Sequence, residues 1–257
     1  MERLARTFWG DPMTPVRVAM SLAVAGLLVL AGCQRGGGGE KKVALLLPES
    51  KTARYETQDR PNFERKLKEL CADCEILYSN ADQDATKQQS QAEAALTNGA
   101  KVFVLDAVDG VAAAAIAEKA RAQKVPVIAY DRLILGTEAV DYYISFDNER
   151  VGALQGEALL QALAGKTNPT IVMINGSPTD NNASQFKRGA HSVLDGKVRV
   201  AKEYDTPDWS PDKAQEEMTQ ALTALGNKLD GVYCANDGTA GGAIAAMAPP
   251  AVSSLAQ

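Results

Sequence analysis

A chain of 257 residues with a net charge of −5 lacks the clustered Lys and Arg that counterion release on nucleic acid demands, so a nucleic-acid partner is not expected. Apolar residues make up 46% of it, enough for more than one packed core at this length. The single histidine, His191, lies far in sequence from the cysteines, so no metal site is expected.

The chain opens with Arg3, Arg6 and Arg17, followed by an apolar run over 18–32 that ends in Leu30-Ala31-Gly32-Cys33. That run is shorter than the roughly 20 residues that span a bilayer. A basic flank, a short apolar stretch and small residues before a cysteine are the parts of a lipoprotein signal. Residues 1–32 are therefore expected to be removed and Cys33 acylated, which anchors the protein to the membrane on its extracytoplasmic side; an uncleaved anchor with an incidental cysteine is the alternative. Residues 33–41, with four consecutive glycines, read as the lipidated cysteine and a flexible tether. Loss of 1–32 removes three basic and two acidic residues and moves the charge from −5 to −6. Outside the cytoplasm, binding is a better expectation than chemistry on a nucleotide cofactor.

From residue 42 short apolar runs alternate with helical patterns, the signature of βαβ units and a parallel sheet. Strands are predicted over 42–47, 75–78, 101–105, 125–130 and 142–145, with helices over 62–70, 84–97 and 111–122. Asp147 reads as the N-cap of a helix running to 164, with Val151, Leu154, Ala158, Leu159 and Leu163 on its apolar face. Strands over 170–174, 198–204 and 231–234 follow, with helices over 183–194, 212–225 and 239–247. These predict two Rossmann-like α/β lobes with parallel sheets, 42–146 and 147–257. Cys71 and Cys74 are read as a local disulfide, since the pair follows a helix and precedes a strand, the reverse of a redox CxxC. Cys234, in an apolar run, is expected to be a buried core residue, and His191 a solvated helix residue.

Ligands of parallel sheets sit beyond the carboxyl ends of the strands. There this sequence places Arg54-Tyr55, Tyr130-Asp131-Arg132, a run from Asn175 to Asn182, and Ala235-Asn236-Asp237-Gly238. Asp, Asn and Arg with aromatics nearby suit a sugar: hydroxyls both donate and accept, and the C–H faces of a pyranose stack on rings such as Tyr55 and Trp209. Each residue alone is explained as well by a turn, a solvated surface or a core position; the coincidence at several strand ends carries the reading. Enzyme readings fail on spacing. Gly165-Lys166-Thr167 imitates the end of a P-loop, but Leu160 stands where the first glycine is needed, His191 has no nucleophile partner, and no carboxylate pair is singled out.

Tyr130-Asp131-Arg132, the runs Tyr143-Ile144-Ser145-Phe146-Asp147-Asn148-Glu149 and Ser177-Pro178-Thr179-Asp180-Asn181-Asn182-Ala183, and the run from Asn236 to Ile244 resemble the D-xylose-binding proteins of bacterial ABC sugar importers. These are of the ribose/galactose type, that is, periplasmic-binding-protein type I. The resemblance covers about 42–247. It implies two lobes on a hinge that close on sugar, with Arg54, Tyr55, Asp131, Arg132, Asn182, Trp209 and Asn236 as contacts and Asp106 and Asp237 as weaker ones. It further implies a non-catalytic protein without a cofactor, acting as a monomer. Its partners would be a monosaccharide, D-xylose foremost, and an ABC permease with its ATPase subunit. Past Met247 the likeness ends, and Pro249-Pro250 would break the helix they enter. A truncated or frameshifted product with an incomplete second lobe, lacking hinge strands and an acidic and a lysine ligand, is the expectation. A non-functional fragment and a sugar sensor serving a membrane receptor are the alternative readings. A cytoplasmic repressor is set aside, because it would need a basic helix-turn-helix where the lipobox stands.

Overall fold

The computed structural model describes residues 41–226 and 228–248; the expected signal over 1–32, Cys33, the expected tether up to residue 40 and the tail from Pro249 lie outside the described residues. The first half builds one sheet. Its strands are β1 (Lys41–Leu47), β2 (Cys74–Asn80), β3 (Ala100–Leu105), β4 (Val127–Tyr130) and β5 (Tyr142–Ile144). They are all parallel, in the order β2-β1-β3-β4-β5. The second half builds another: β6 (Thr170–Asn175), β7 (Arg199–Asp205) and β8 (Gly231–Cys234), parallel in the order β7-β6-β8. Order reverses between β1 and β3 in one sheet and between β6 and β8 in the other, which opens a crevice at those strand ends.

The helices are α1 (Arg60–Leu70), α2 (Ala85–Thr97), α3 (Ala114–Ala122), α4 (Asn148–Ala162), α5 (Asn181–Leu194), α6 (Pro211–Leu225) and α7 (Asp237–Met247). Residues 44–47 of β1 are all buried, the pattern of a central strand covered on both faces. On one face Ala44, Leu46, Phe103, Leu105 and Val127 pack under the alanines of α2 and α3. The opposite face carries Leu45, Leu47, Val104 and Tyr55, with α1 over it; no residue of α1 is itself buried. The second sheet is likewise covered on both sides, with Ile171 and Met173 facing α4 and α5, and Val172 and Ile174 facing α6 and α7.

Several helix starts are written in side chains. Asp84 accepts from Thr86 N and Lys87 N, Asp147 from Arg150 N, and Asp180 from Asn182 N. Asn236 and Thr239 form a reciprocal capping box. Other expectations need correction. Helical backbone begins at Tyr55, in a π-helical turn over Tyr55–Asp59 that runs into α1. The helix predicted from 111 starts at Ala114, because Asp109 Oδ1 accepts from Val111 N and Ala112 N, both at 2.8 Å, and holds a turn.

The expected aliphatic face of α4 is buried only in part: Leu163 is in the core and Leu159 packs against it. Leu154 and Ala158 are exposed, and Gly152, Ala153 and Gly156 face α5 instead. A Cβ on Gly152 would lie 2.0 Å from Phe186 O, and one on Gly189 would lie 1.9 Å from Glu149 O. The two helices meet at backbone contact, which selects small residues over large ones. Cys234 is half-buried on β8, an edge strand among the described residues, rather than enclosed in the core. Burial there pushes its thiol up to about 12. Cys71 and Cys74 are disulfide-bonded, at the junction of α1 and β2. No helix among the described residues is long and apolar enough to cross a membrane.

Candidate functional site

Between the strand ends of the two sheets lies a cavity of about 130 Å³. Its lining comes from both halves of the chain. Thr52, Arg54 and Tyr55 follow β1, Asp131 and Arg132 follow β4, and Phe146 follows β5. Asp180, Asn182 and Phe186 belong to the segment after β6, Trp209 to the one after β7, and Ala235 and Asn236 to the one after β8.

Asp131 is the crossing point of the site. Its backbone is left-handed, with φ 59°, a conformation that aspartate tolerates better than most residues, and it turns the carboxylate into the cavity wall. Oδ2 accepts from Tyr55 OH at 3.0 Å and from Arg54 Nη2. Asn182, reaching over from the second half, donates Nδ2 to Asp131 Oδ1 at 3.0 Å and to Asp131 O at 3.1 Å. Asn182 is aimed in turn by Asn148, whose Nδ2 donates to Asn182 Oδ1 at 3.0 Å. The Arg54 guanidinium lies 5.0 Å from the Tyr55 ring centre and 5.5 Å from that of Phe146, and its Nε donates to Asp59 at 3.0 Å. Burial works against the charge on Arg54, but Asp131, Tyr55 and Asp59 together outweigh it and keep the guanidinium charged.

Arg132 is buried among carboxylates. Its Nε is 3.2 Å from Asp180 Oδ2 and 3.7 Å from Asp106 Oδ1, and Nη2 is 3.5 Å from Glu49 Oε1. Among the described residues the cations paired with Glu49, Asp106, Asp131 and Asp180 are thus Arg54 and Arg132. Burial, and then the charge of Asp131, push the Asp106 carboxyl well above the ordinary carboxylate range. Asp180 is raised as well, chiefly by burial.

The aromatic wall is Trp209. It is 5% exposed, its Nε1 donates to Asp180 Oδ2 at 3.0 Å, and Phe186 meets it edge-on at 6.3 Å between ring centres. A rigid apolar plane, an aromatic hydroxyl, a guanidinium and side-chain amides around one small cavity can hold a polyhydroxylated ring from both its faces and its rim.

Of the residues singled out in the sequence, the cavity gathers Arg54, Tyr55, Asp131, Arg132, Asn182, Trp209 and Asn236. Asp237 is exposed in the first turn of α7 and does not line it. Asp106 is wholly buried beside Arg132 rather than on the cavity wall. Sequence reasoning did not single out Thr52, Phe146, Asp180 or Phe186 as lining residues, nor Glu49 as a member of the charge cluster behind the wall. Asp180 hid behind its role as the N-cap of α5, and Glu49 stands two residues past β1, where the strand-end rule alone could have found it. His191 is not a free surface imidazole: Nδ1 lies 2.8 Å from Asp195 Oδ1 and Nε2 3.1 Å from Glu203 Oε1.

Residues 43–249 match the family model of the periplasmic binding protein domain. The chain is 34% identical over 219 residues to the D-xylose-binding periplasmic protein of Escherichia coli, covering 83% of this chain and 64% of that one. It is 35% identical over 240 residues to a multiple sugar-binding periplasmic protein of Azospirillum brasilense, covering 86% and 66%. Among solved structures, an ABC transporter solute binding protein from Clostridium phytofermentans with bound β-D-glucose aligns at TM-score 0.73 and 34% identity, over 80% of this chain and 68% of that one. The chain thus spans just under two thirds of the E. coli relative's length.

Proposed function

This chain belongs to the periplasmic binding protein family, and from that premise we propose that it is a non-catalytic, extracytoplasmic binding protein that takes one monosaccharide, D-xylose foremost, between its two halves. The observation that carries the reading is the cavity itself, where Arg54, Tyr55 and Asp131 from one half meet Asn182 and Trp209 from the other. Only with the halves together do both sets reach one ring, so sugar would select the closed arrangement. Asn182 already bonds Asp131 across the gap, which supports a closure of this kind.

In this reading 42–146 and 147–257 are the two lobes. Residues 1–32 are the signal, and Cys33 with the segment to 41 is the lipid anchor and tether. The closed protein, a monomer, would hand its sugar to an ABC permease driven by an ATPase subunit.

The test is a titration of the full chain carrying Trp9→Phe, which leaves Trp209 as the sole tryptophan, with D-xylose, D-ribose, D-glucose and L-arabinose. A saturable change in Trp209 emission, with D-xylose preferred, is the expected result. A folded protein whose emission and calorimetric signal stay flat with all four sugars overturns the reading.

A further inference from the structure

Gly176 closes the turn after β6, next to the aromatic wall. It is not among the residues with positive φ, so backbone freedom does not explain a glycine there. Space does. A Cβ on Gly176 would lie 2.0 Å from Cη2 of Trp209 and 2.3 Å from both Cζ2 and Cζ3. An approach along the ring's rim would leave Cζ2 and Cζ3 much further off than Cη2. Three nearly equal distances put the Cβ over the face of the six-membered ring. The indole therefore lies directly on the Gly176 backbone, at a separation that a single methyl group would occupy.

The other sides of the ring are held too. Nε1 is tied to Asp180 Oδ2 at 3.0 Å, and Phe186 abuts it at an interplanar angle of 70°. The segment that carries it is strained, with Asp208 at φ 57° and Trp209 at φ 53°, two successive left-handed residues that are not glycine. A ring pinned at its polar edge, packed on Phe186 and backed by main chain has the cavity as the direction left in which to yield.

We infer that Gly176 is a positioning residue that sets how far the Trp209 indole stands out into the cavity, and through it the thickness of the ring the cavity accepts. The inference rests on the monosaccharide reading above. It assigns Gly176 no contact with the ligand: its effect passes through Trp209.

A double-mutant cycle in the full chain with Trp9→Phe tests it. Gly176→Ala is expected to weaken D-xylose binding by about tenfold or more in calorimetry, while thermal unfolding stays cooperative. It is also expected to shift Trp209 emission before any sugar is added. In the Trp209→Phe background, where the smaller ring leaves room for the methyl, Gly176→Ala should change affinity less than about threefold.

Equal losses in both backgrounds overturn the inference, because the glycine would then act without the indole. So does wild-type affinity in Gly176→Ala. If Gly176→Ala alone fails to fold, recovery of folding in Gly176→Ala/Trp209→Phe supports the inference and continued failure overturns it. If the parent protein binds none of the sugars, the monosaccharide reading falls by itself. The positioning role is then decided by emission and acrylamide quenching of Trp209 in the sugar-free protein. A difference between the parent and Gly176→Ala supports the role, and identical spectra and quenching overturn it.

Discussion

Asp106 holds two buried carboxylate oxygens without a hydrogen-bond partner, 3.7 Å at best from the Arg132 guanidinium. Burial and the nearby Asp131 raise its pKa in the folded protein above the ordinary 3.8. In the unfolded chain it ionises near that ordinary value, so from there upward the folded state carries the extra proton. Stability contributed by this group is complete at low pH and is lost as pH rises through the raised folded value. Asp106→Asn removes that slope: the variant should be more stable than the parent at pH 8 by about 1 kcal/mol or more, with the gap narrowing toward pH 5. Denaturant unfolding at both pH values measures it, and an unchanged difference between them refutes the assignment. Asn182 acts differently, because its amide spans the two halves. Asn182→Ala loses both bonds to Asp131, while the Asn148 amide keeps Ser145 and Gln185 as acceptors, and at about 1 kcal/mol per bond the sugar affinity of the proposed site should fall by tenfold or more. Calorimetry with D-xylose decides this, and an unchanged affinity would mean that the amide does not serve closure.

At the scale of elements, the contact of α4 with α5 is set by glycine. Gly189→Ala gains up to about 1 kcal/mol of helix propensity. Against this, its methyl would sit 1.9 Å from Glu149 O, a main-chain atom that moves only if α4 moves, and overpacking of this kind costs about 1–3 kcal/mol or more. The cost wins, so Gly189→Ala should lower the denaturation midpoint, and a variant as stable as the parent would show that the helices can slide apart freely. This contact also shows what was legible in the sequence. The strand and helix alternation, the cap at Asp147 and the strand-end origin of the site follow from local chemistry. The glycine face of α4 did not, because periodicity weighs side chains by size, whereas a close helix crossing is made by their absence. The start of helical backbone at Tyr55 escaped for a related reason. Tyr55 is anchored by Asp131, which is 76 residues away, and no local signal announces that bond. Glu49 and Asp106 likewise gain their meaning only when the ends of β1, β3 and β4 are side by side.

For the molecule as a whole, the two sheets differ in how their outer strands are finished. Among the described residues β8 pairs only with β6, and beside it α4 and α7 leave a shallow apolar groove lined by Leu159, Val232, Tyr233, Ile244 and Met247. Ile244 is 62% exposed and Met247 43%. At the outer edge of the first sheet, β5 presents Tyr142, Tyr143 and Ile144 with no buried residue. A bare edge strand with an apolar margin is a template for pairing with another chain, and a charge placed on it is the usual protection. The described residues cross from one sheet to the other once, between β5 and α4, so the polar links of the cavity supply much of what holds the halves in register. The apolar margin at β8 stands apart from those links. Ile244→Lys should therefore reduce concentration-dependent association in sedimentation velocity, while an exposed position outside the cavity leaves D-xylose affinity within about twofold of the parent. Association that persists unchanged in Ile244→Lys would move the sticky surface elsewhere, and the corresponding charge on β5, Tyr142→Lys, is then the variant that should suppress it.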